Sequence, residues 1–347
     1  SEHYNDLNFP FKRCHIAKVF RGERAQKGRY REFYQCDIDI IGREELSLVN
    51  DAEILAVIYQ VFKNLNLPPF IIKISNRKLI EGLIESLGLN QKSLEIMRII
   101  DKVEKISQSD FKTALLDLGL SDQNLDLIIK FINIKGEPVL VLKELDNLNI
   151  NNEVFKQGLV ELTTVLNYIK LFQLPSESYG IDLSIARGLD YYTGTIYETF
   201  FLDYSDLGSI CSGGRYDNLA EAYTKKRLPG VGISIGLTRL FSQLRDLEIV
   251  KPQKSTISKV LILPFAEEMF ASAIKISNVL RSAGVFNEVY FENDKIKNKI
   301  TYANKIGVDF VVIIGEEELK NNNFTLKNMK SGEQISLGIE DLVKYFK

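Results

Sequence analysis

The stretch that most limits how this chain can fold is residues 16–41. From Ile16 the sequence reads as a strand, passes through a polar basic loop from Arg21 to Arg31, and returns as a second strand in which Tyr34, Cys36, Ile38 and Ile40 alternate with polar residues. Alternation at period two sends successive side chains to opposite faces of a sheet, so this segment is an antiparallel hairpin with a strongly charged tip. Helical spacing follows from Asp51 to Leu65, where Ile54, Leu55, Ile58 and Phe62 recur, and Phe70 to Ile74 is a short apolar strand. Residues 1–78 are therefore the first part of an α+β core.

Between Arg77 and about Gln173 the pattern turns helical and polar, with Leu/Ile repeats and helix-start signals at Ser109 before Asp110 and Ser121 before Asp122. Residues 79–173 read as an inserted helical module. Strand character returns at Gly180 to Ala186, Gly194 to Leu202 and Gly208 to Gly213, which makes 174–250 the second part of the core. The Lys/Pro/Ser/Thr stretch 251–258 reads as a linker. Beyond it, 259–347 alternates strands (Val260 to Pro264, Glu288 to Phe291, Phe310 to Ile314) with helices (Ala266 to Ser282, Ile296 to Ile306), the pattern of a mostly parallel α/β domain. Its first strand-to-helix turn, Pro264-Phe265-Ala266, carries no glycine fingerprint, so a dinucleotide site is disfavoured and binding of a macromolecule is expected.

Composition narrows the class. A chain of 347 residues with 45% hydrophobic and 26% charged side chains supports two or three globular domains and excludes a disordered chain. Lys and Arg number 44 against 46 Asp and Glu, so contact with nucleic acid must come from local basic surface rather than from a global field. Cys14, Cys36 and Cys211 are far apart, and His3 and His15 are the only histidines, which argues against a disulfide framework or structural zinc and for a reducing compartment. No stretch approaches the roughly 18 apolar residues that span a bilayer. A soluble, cytoplasmic protein is the expectation. Because the chain starts at Ser1 without an initiator methionine and runs quickly into a dense motif, an upstream segment is expected to be missing.

The hairpin tip and its flank, FRGERAQKGRYREFYQCDIDIIG from Phe20 to Gly42, hold Arg21, Arg24, Lys27, Arg29 and Arg31 within eleven positions. Guanidinium forks match phosphate and carboxylate oxygens bidentately, so such a cluster can line a polyphosphate pocket, although a charged tip is often simply solvated. A second string runs Ala186-Arg187-Gly188-Leu189-Asp190-Tyr191-Tyr192-Thr193-Gly194, followed by Thr195 to Glu198. A third joins Cys211-Ser212-Gly213-Gly214-Arg215-Tyr216-Asp217 to the glycine-rich Pro229 to Leu240, which enters a helix at Gly236-Leu237-Thr238-Arg239. Taken as glycines alone, these allow close strand–helix packing and say little more.

In their order these strings resemble histidyl-tRNA synthetases, a class II aminoacyl-tRNA synthetase family. The tip resembles class II motif 2 in its histidyl form, the second string the family's histidine motif, and the third its second histidine motif and class II motif 3. The likeness runs from about Lys18 onward, strongest in these blocks. It implies a class II catalytic core of antiparallel sheet and helices with a helical insertion, and a C-terminal α/β domain of anticodon-binding type. Residue by residue, it implies that Arg21 meets the ATP α-phosphate and the amino-acid carboxylate, Glu23 the adenine or the tRNA end, and Phe33 the adenine ring. Arg29 belongs to the same ATP set, and Arg239 is the γ-phosphate arginine. Gln35 and Asp39, on one strand face by their even spacing, would meet the substrate's amino group and imidazole. Arg187 would face the α-phosphate, Tyr192 the imidazole, and Tyr191, Tyr216, Gly213 and Gly214 would border the histidine pocket.

The resemblance further implies ATP with Mg²⁺ as substrate, no protein-bound structural metal, histidine and tRNA(His) as partners, no DNA or membrane partner, and a homodimer for the intact protein. The reaction would be activation of histidine to its adenylate with release of pyrophosphate, then transfer to the 3′ end of the tRNA. Ala25 stands where the family commonly has proline, Thr238 where an acidic residue is common, and Asp39 where many members have glutamate. Motif 1, which builds the class II dimer interface, and a substrate-gripping threonine/glutamate strand are absent, so dimerisation and full activity are expected to depend on an upstream segment. Two catalytically inactive relatives share the fold. A synthetase-like regulatory subunit of ATP phosphoribosyltransferase would lack the Arg187 to Gly194 string and the terminal domain. A synthetase-like RNA-sensing domain would lose the catalytic arginines. String, domain, Arg21, Arg187 and Arg239 are all present.

Overall fold

The structure, a computed structural model, describes residues 3–22, 24, 30–103, 106–185, 191–251 and 255–346. The chain divides into two compact units, Ser1–Leu247 and Glu248–Lys347.

In the first unit the hairpin is β1 (Phe11–Phe20) and β2 (Glu32–Ile41). β1 begins five residues before the apolar onset at Ile16, because Lys12, Arg13 and Cys14 pair with Ile40, Asp39 and Ile38 of β2. Next come α1 (Val49–Asn64), β3 (Phe70–Asn76), α2 (Arg77–Ser86), α3 (Ser93–Ile100), α4 (Gln108–Asp117), α5 (Asp122–Ile132), β4 (Lys135–Gly136), α6 (Pro138–Asp146) and α7 (Glu153–Leu171). The unit closes with β5 (Tyr179–Asp182), β6 (Thr195–Phe201), β7 (Cys211–Tyr216), β8 (Gly230–Ile235) and α8 (Leu237–Asp246). Ser121 caps α5 as expected, its side chain accepting from Asn124 N, whereas α4 is capped by Ser107 rather than Ser109. Both serines can accept from a nearby N–H; Ser107 is the one with extended backbone, the conformation an N-cap requires.

The strands form one sheet in the order β1-β2-β8-β7-β6-β3-β5-β4, antiparallel throughout except for the parallel pair β3 and β5. Parallel neighbours need a long crossover, and the helical stretch supplies it. α2 and α7 pack together, and α7 also packs on α1 and β3, so the two ends of the expected insertion are part of the core itself. Leu79, Leu83, Leu162, Val165 and Ile169 are fully buried there, alongside Ile54, Leu55, Ile58 and Phe62 of α1.

The second unit holds β9 (Val260–Pro264), α9 (Phe270–Ser282), β10 (Asn287–Val289), α10 (Ile296–Ile306), β11 (Phe310–Ile314), α11 (Glu316–Asn321), β12 (Phe324–Asn328), β13 (Gln334–Leu337) and α12 (Ile339–Phe346). Its sheet runs β10-β9-β11-β12-β13, with β10, β9 and β11 parallel and the last two antiparallel. Every residue of β9 is buried: Val260 and Ile262 pack with Ala273, Ile276 and Leu342, while Leu261 and Leu263 pack with Ala303. Helices on both faces explain why this strand reads as an unbroken apolar run. Among the described residues no helix is long and apolar enough to cross a membrane.

Candidate active site

Strand register builds the site on one face of the first sheet. Asp39 of β2 lies opposite Gly232 of β8, which lies opposite Gly214 of β7, which lies opposite Ile196 of β6. Residues paired in this way share a face, so the four positions form a row across the sheet. The two central positions have to be glycine. A Cβ on Gly232 would sit 2.3 Å from the Asp39 carboxylate, and one on Gly214 would sit 2.6 Å from the Thr195 carbonyl oxygen and 2.9 Å from the Tyr192 ring. The space above the row is taken by functional groups instead. The Tyr216 hydroxyl donates to Asp39 Oδ1 at 2.8 Å, and Arg13 Nη1 donates to Oδ2 at 3.3 Å. Tyr191 packs on Tyr192 with ring centroids 4.6 Å apart and meets Tyr216 edge-on at 6.3 Å. Asp39, Tyr191, Tyr192, Tyr216 and Gly214 are thus brought together. Gly213 faces the opposite way, against the Gly232 carbonyl and Ile233.

Burial pushes the Asp39 carboxyl above the usual aspartate value, opposed by the Tyr216 hydrogen bond and the Arg13 charge. The Tyr216 phenol is pushed up strongly by burial and by Asp39, so it remains a donor at physiological pH. A carboxylate has about four acceptor sites. Two are used, and the rest can receive N–H donors from a ligand.

The same face continues toward the hairpin tip. Arg21 lies over the Phe33 ring, 5.2 Å from its centroid, and its Nη2 donates to Gln35 Oε1 at 3.3 Å; Gln35 Nε2 in turn donates to Asp37 Oδ1 at 2.8 Å. Gln35 therefore orients Arg21 in this structure. At the start of α8, the Thr238 hydroxyl accepts from Tyr34 N at 2.8 Å and ties the helix to β2, while Arg239 Nη2 donates to the Leu207 carbonyl at 2.7 Å. Glu23, Arg29 and Arg187 lie outside the described residues. Among the described residues no three His, Cys, Asp or Glu side chains gather as a metal-ligand set.

Comparison with known proteins is decisive at this point: the family model for histidyl-tRNA synthetase matches residues 1–240, and that for an anticodon binding domain matches 259–347. The chain belongs to the histidyl-tRNA synthetase family. A histidine–tRNA ligase of Clostridium tetani is 53% identical over 348 residues, a match that spans 100% of this chain and 79% of that protein. The crystal structure of histidyl-tRNA synthetase from Nostoc sp. PCC 7120 superposes with a TM-score of 0.86 at 39% identity, covering 99% of this chain and 79% of that one. A Bacillus halodurans structure described as an ATP phosphoribosyltransferase regulatory subunit/histidyl-tRNA synthetase reaches 0.71 at 20% identity, covering 89% and 74%, and shares the fold.

Within this family framework the structure adds residues that the motifs alone did not single out. Arg13 comes from β1, 26 positions before Asp39 in sequence and directly across from it in the sheet. Asp51 of α1 and Arg215 of β7 form a buried pair on the opposite face of the sheet from the Asp39 row. The signal for Asp51 was available, since it stands on the same helical stripe as Ile54, Leu55, Ile58 and Phe62, where a carboxylate needs a buried partner. In the terminal domain the sequence sets Lys295, Lys297 and Lys299 close together, a basic cluster for an RNA backbone or simply a solvated helix start, and the structure divides them. Lys295 and Lys297 are exposed, but Lys299 is fully buried and donates to the Pro264 carbonyl at 2.7 Å, so it cannot join them on an RNA-facing surface. Burial lowers its pKa.

Proposed function

We propose that this chain is a histidine–tRNA ligase that forms histidyl-adenylate and pyrophosphate from histidine and ATP, then loads tRNA(His). The observation that carries the reading is the Asp39–Gly232–Gly214 row. It offers a partly buried carboxylate with acceptor sites to spare, flanked by Tyr192 lying on Gly214 and Tyr216 lying on Gly230, which suits a flat ring carrying N–H groups. Imidazole has two nitrogens, and a pocket that engages both excludes an apolar isostere. In the first step a histidine carboxylate oxygen attacks the α-phosphorus and the bond to the pyrophosphate oxygen breaks. Two anions must approach, so the requirement is cationic positioning rather than acid–base chemistry. Arg21, oriented by Gln35 and Phe33, serves the α-phosphate and substrate carboxylate. Arg239, held on the Leu207 carbonyl, serves the far end of the triphosphate, and Arg187 is assigned to the α-phosphate by its motif. Mg²⁺ arrives with ATP and needs only one or two carboxylates besides phosphate oxygens. Glu198, partly buried on the same sheet face opposite Ser212, fits that need and would help bind the charged nucleotide. The test is isotope exchange between ATP and pyrophosphate. Exchange that depends on histidine is expected, and exchange indifferent to histidine would sink the proposal.

The 259–347 domain is proposed to read the anticodon of tRNA(His). Its removal should leave histidine-dependent exchange within about twofold and raise KM for tRNA about tenfold or more, because contacts remote from the reacting centre add binding energy without touching the chemistry. Parallel loss of exchange would assign the domain a structural role instead.

A further inference from the structure

Behind the pocket face runs a chain of polar contacts that the adenylation chemistry does not use. It starts at Asp51 of α1, which is fully buried. Arg215 of β7 engages both of its oxygens, Nε to Oδ1 at 3.1 Å and Nη2 to Oδ2 at 2.5 Å, in the bidentate geometry that fixes a guanidinium most firmly. Arg215 Nη1 lies 3.6 Å from Asp217 Oδ1. Asp217 then reaches the loop before β6: Thr193 Oγ1 donates to Asp217 Oδ2 at 2.8 Å and accepts from Asp217 N at 3.1 Å, while Thr193 N donates to the Arg215 carbonyl at 2.9 Å. Thr193 therefore has three hydrogen bonds to one strand end, and it directly follows Tyr191 and Tyr192. Side chains alternate along β7, so Arg215 points back toward α1 while Gly214 and Tyr216 face the pocket. One strand thus carries both the pocket wall and its anchor.

We infer that Thr193 is a positioning residue for amino-acid selection: its bridge to Asp217, anchored through Arg215 on Asp51, holds Tyr192 over Gly214 and Tyr191 against Tyr216. This rests on the reading of that pocket as the histidine site. The bridge does not touch Arg21, Phe33 or Arg239, so it sets the hold on the amino acid and leaves the hold on ATP alone. Thr193 is only partly buried on a loop, so losing its hydroxyl unpairs two local hydrogen bonds without opening the core.

Thr193→Val keeps the shape and removes the hydroxyl; Thr193→Ser keeps the hydroxyl. In the full chain, binding of histidine and of ATP is to be measured separately by calorimetry, with histidine-dependent exchange alongside. Thr193→Val should weaken histidine binding and raise its KM about tenfold, with ATP binding within twofold of the unsubstituted chain, and Thr193→Ser should stay within about twofold for both ligands. The inference is overturned if Thr193→Val binds histidine normally, if both ligands weaken together, or if the serine variant loses as much as the valine variant. An unsubstituted chain that binds histidine without supporting exchange overturns the ligase reading, while the Thr193 comparison still stands on binding. A chain that binds no histidine overturns both.

Discussion

Asp39→Ala is expected to raise KM for histidine by roughly 10²- to 10³-fold while changing KM for ATP little. The size follows from what the carboxylate holds. Its loss removes an acceptor for the substrate's N–H and leaves the buried Tyr216 hydroxyl and the Arg13 guanidinium without their partner. The unpaired Tyr216 and Arg13 weaken the fold in free and bound enzyme alike, so KM reports the substrate contact: an N–H buried without its charged acceptor costs about 3 kcal/mol or more, which is roughly 10²-fold or above. Phe33, Arg21 and Arg239 are not in contact with Asp39, which is why the nucleotide is spared. Kinetics of exchange at varied histidine and ATP decide the matter; an Asp39→Ala enzyme with unaltered KM for histidine would remove the residue from the imidazole site.

The raised pKa of Asp39 gives this prediction a pH signature, and its two consequences have opposite sign. For recognition the ionised form is required, so affinity for histidine falls as pH drops through a value above the ordinary aspartate range. For stability, a carboxyl raised by burial is more easily protonated in the folded chain than in the unfolded one. Its contribution is therefore fully present below the unfolded value and is lost as pH rises through the folded one. Asp39→Asn should flatten the acid limb of kcat/KM for histidine that belongs to the enzyme, while the limb from free histidine's own imidazole persists in both.

Asp51→Ala should destabilise the first unit by about 3–5 kcal/mol, because it leaves the Arg215 guanidinium charged and buried without its partner. Burial by itself would lower the pKa of Arg215, but the Asp51 carboxylate outweighs it, and the side chain stays protonated. For a unit of this size each kcal/mol shifts Tm by about 2–4 °C, so a fall of roughly 10 °C is expected in thermal melts. Asp51→Leu combined with Arg215→Met should recover most of it, since removing both charges also removes both desolvation costs. A single Asp51→Ala variant that melts with the unsubstituted chain would show that water reaches Arg215.

Much of this molecule is written locally. Period-two alternation through Tyr34, Cys36, Ile38 and Ile40 specifies a half-buried strand wherever it is placed, and the stripe Ile54, Leu55, Ile58, Phe62 specifies a helix with one apolar face. In the terminal unit the same logic placed β9, α10 and β11 at their observed bounds. The motifs around Arg21, Tyr192 and Arg239 marked the family because they are short contiguous strings. β12 and β13 carry no such signature, since their few apolar positions gain meaning only once β11 offers an edge to pair with, whereas α12 does carry one in Ile339, Leu342, Val343 and Phe346.

The site itself was decided by tertiary structure. Nothing near Asp39 announces Gly232 or Gly214; register across β2, β8 and β7 sets them in one row, and register is a property of long-range pairing. Arg13 became a partner of Asp39 only through the hairpin, and Asp51 a partner of Arg215 only when α1 docked behind β7. Lys299 shows the converse: its spacing with Lys295 and Lys297 suggested a basic surface, but α10 turned it inward onto the Pro264 carbonyl. Local sequence sets which face of each element is apolar. Which polar groups meet across those faces is settled only when distant elements pack, because each buried charge must find its partner on another one.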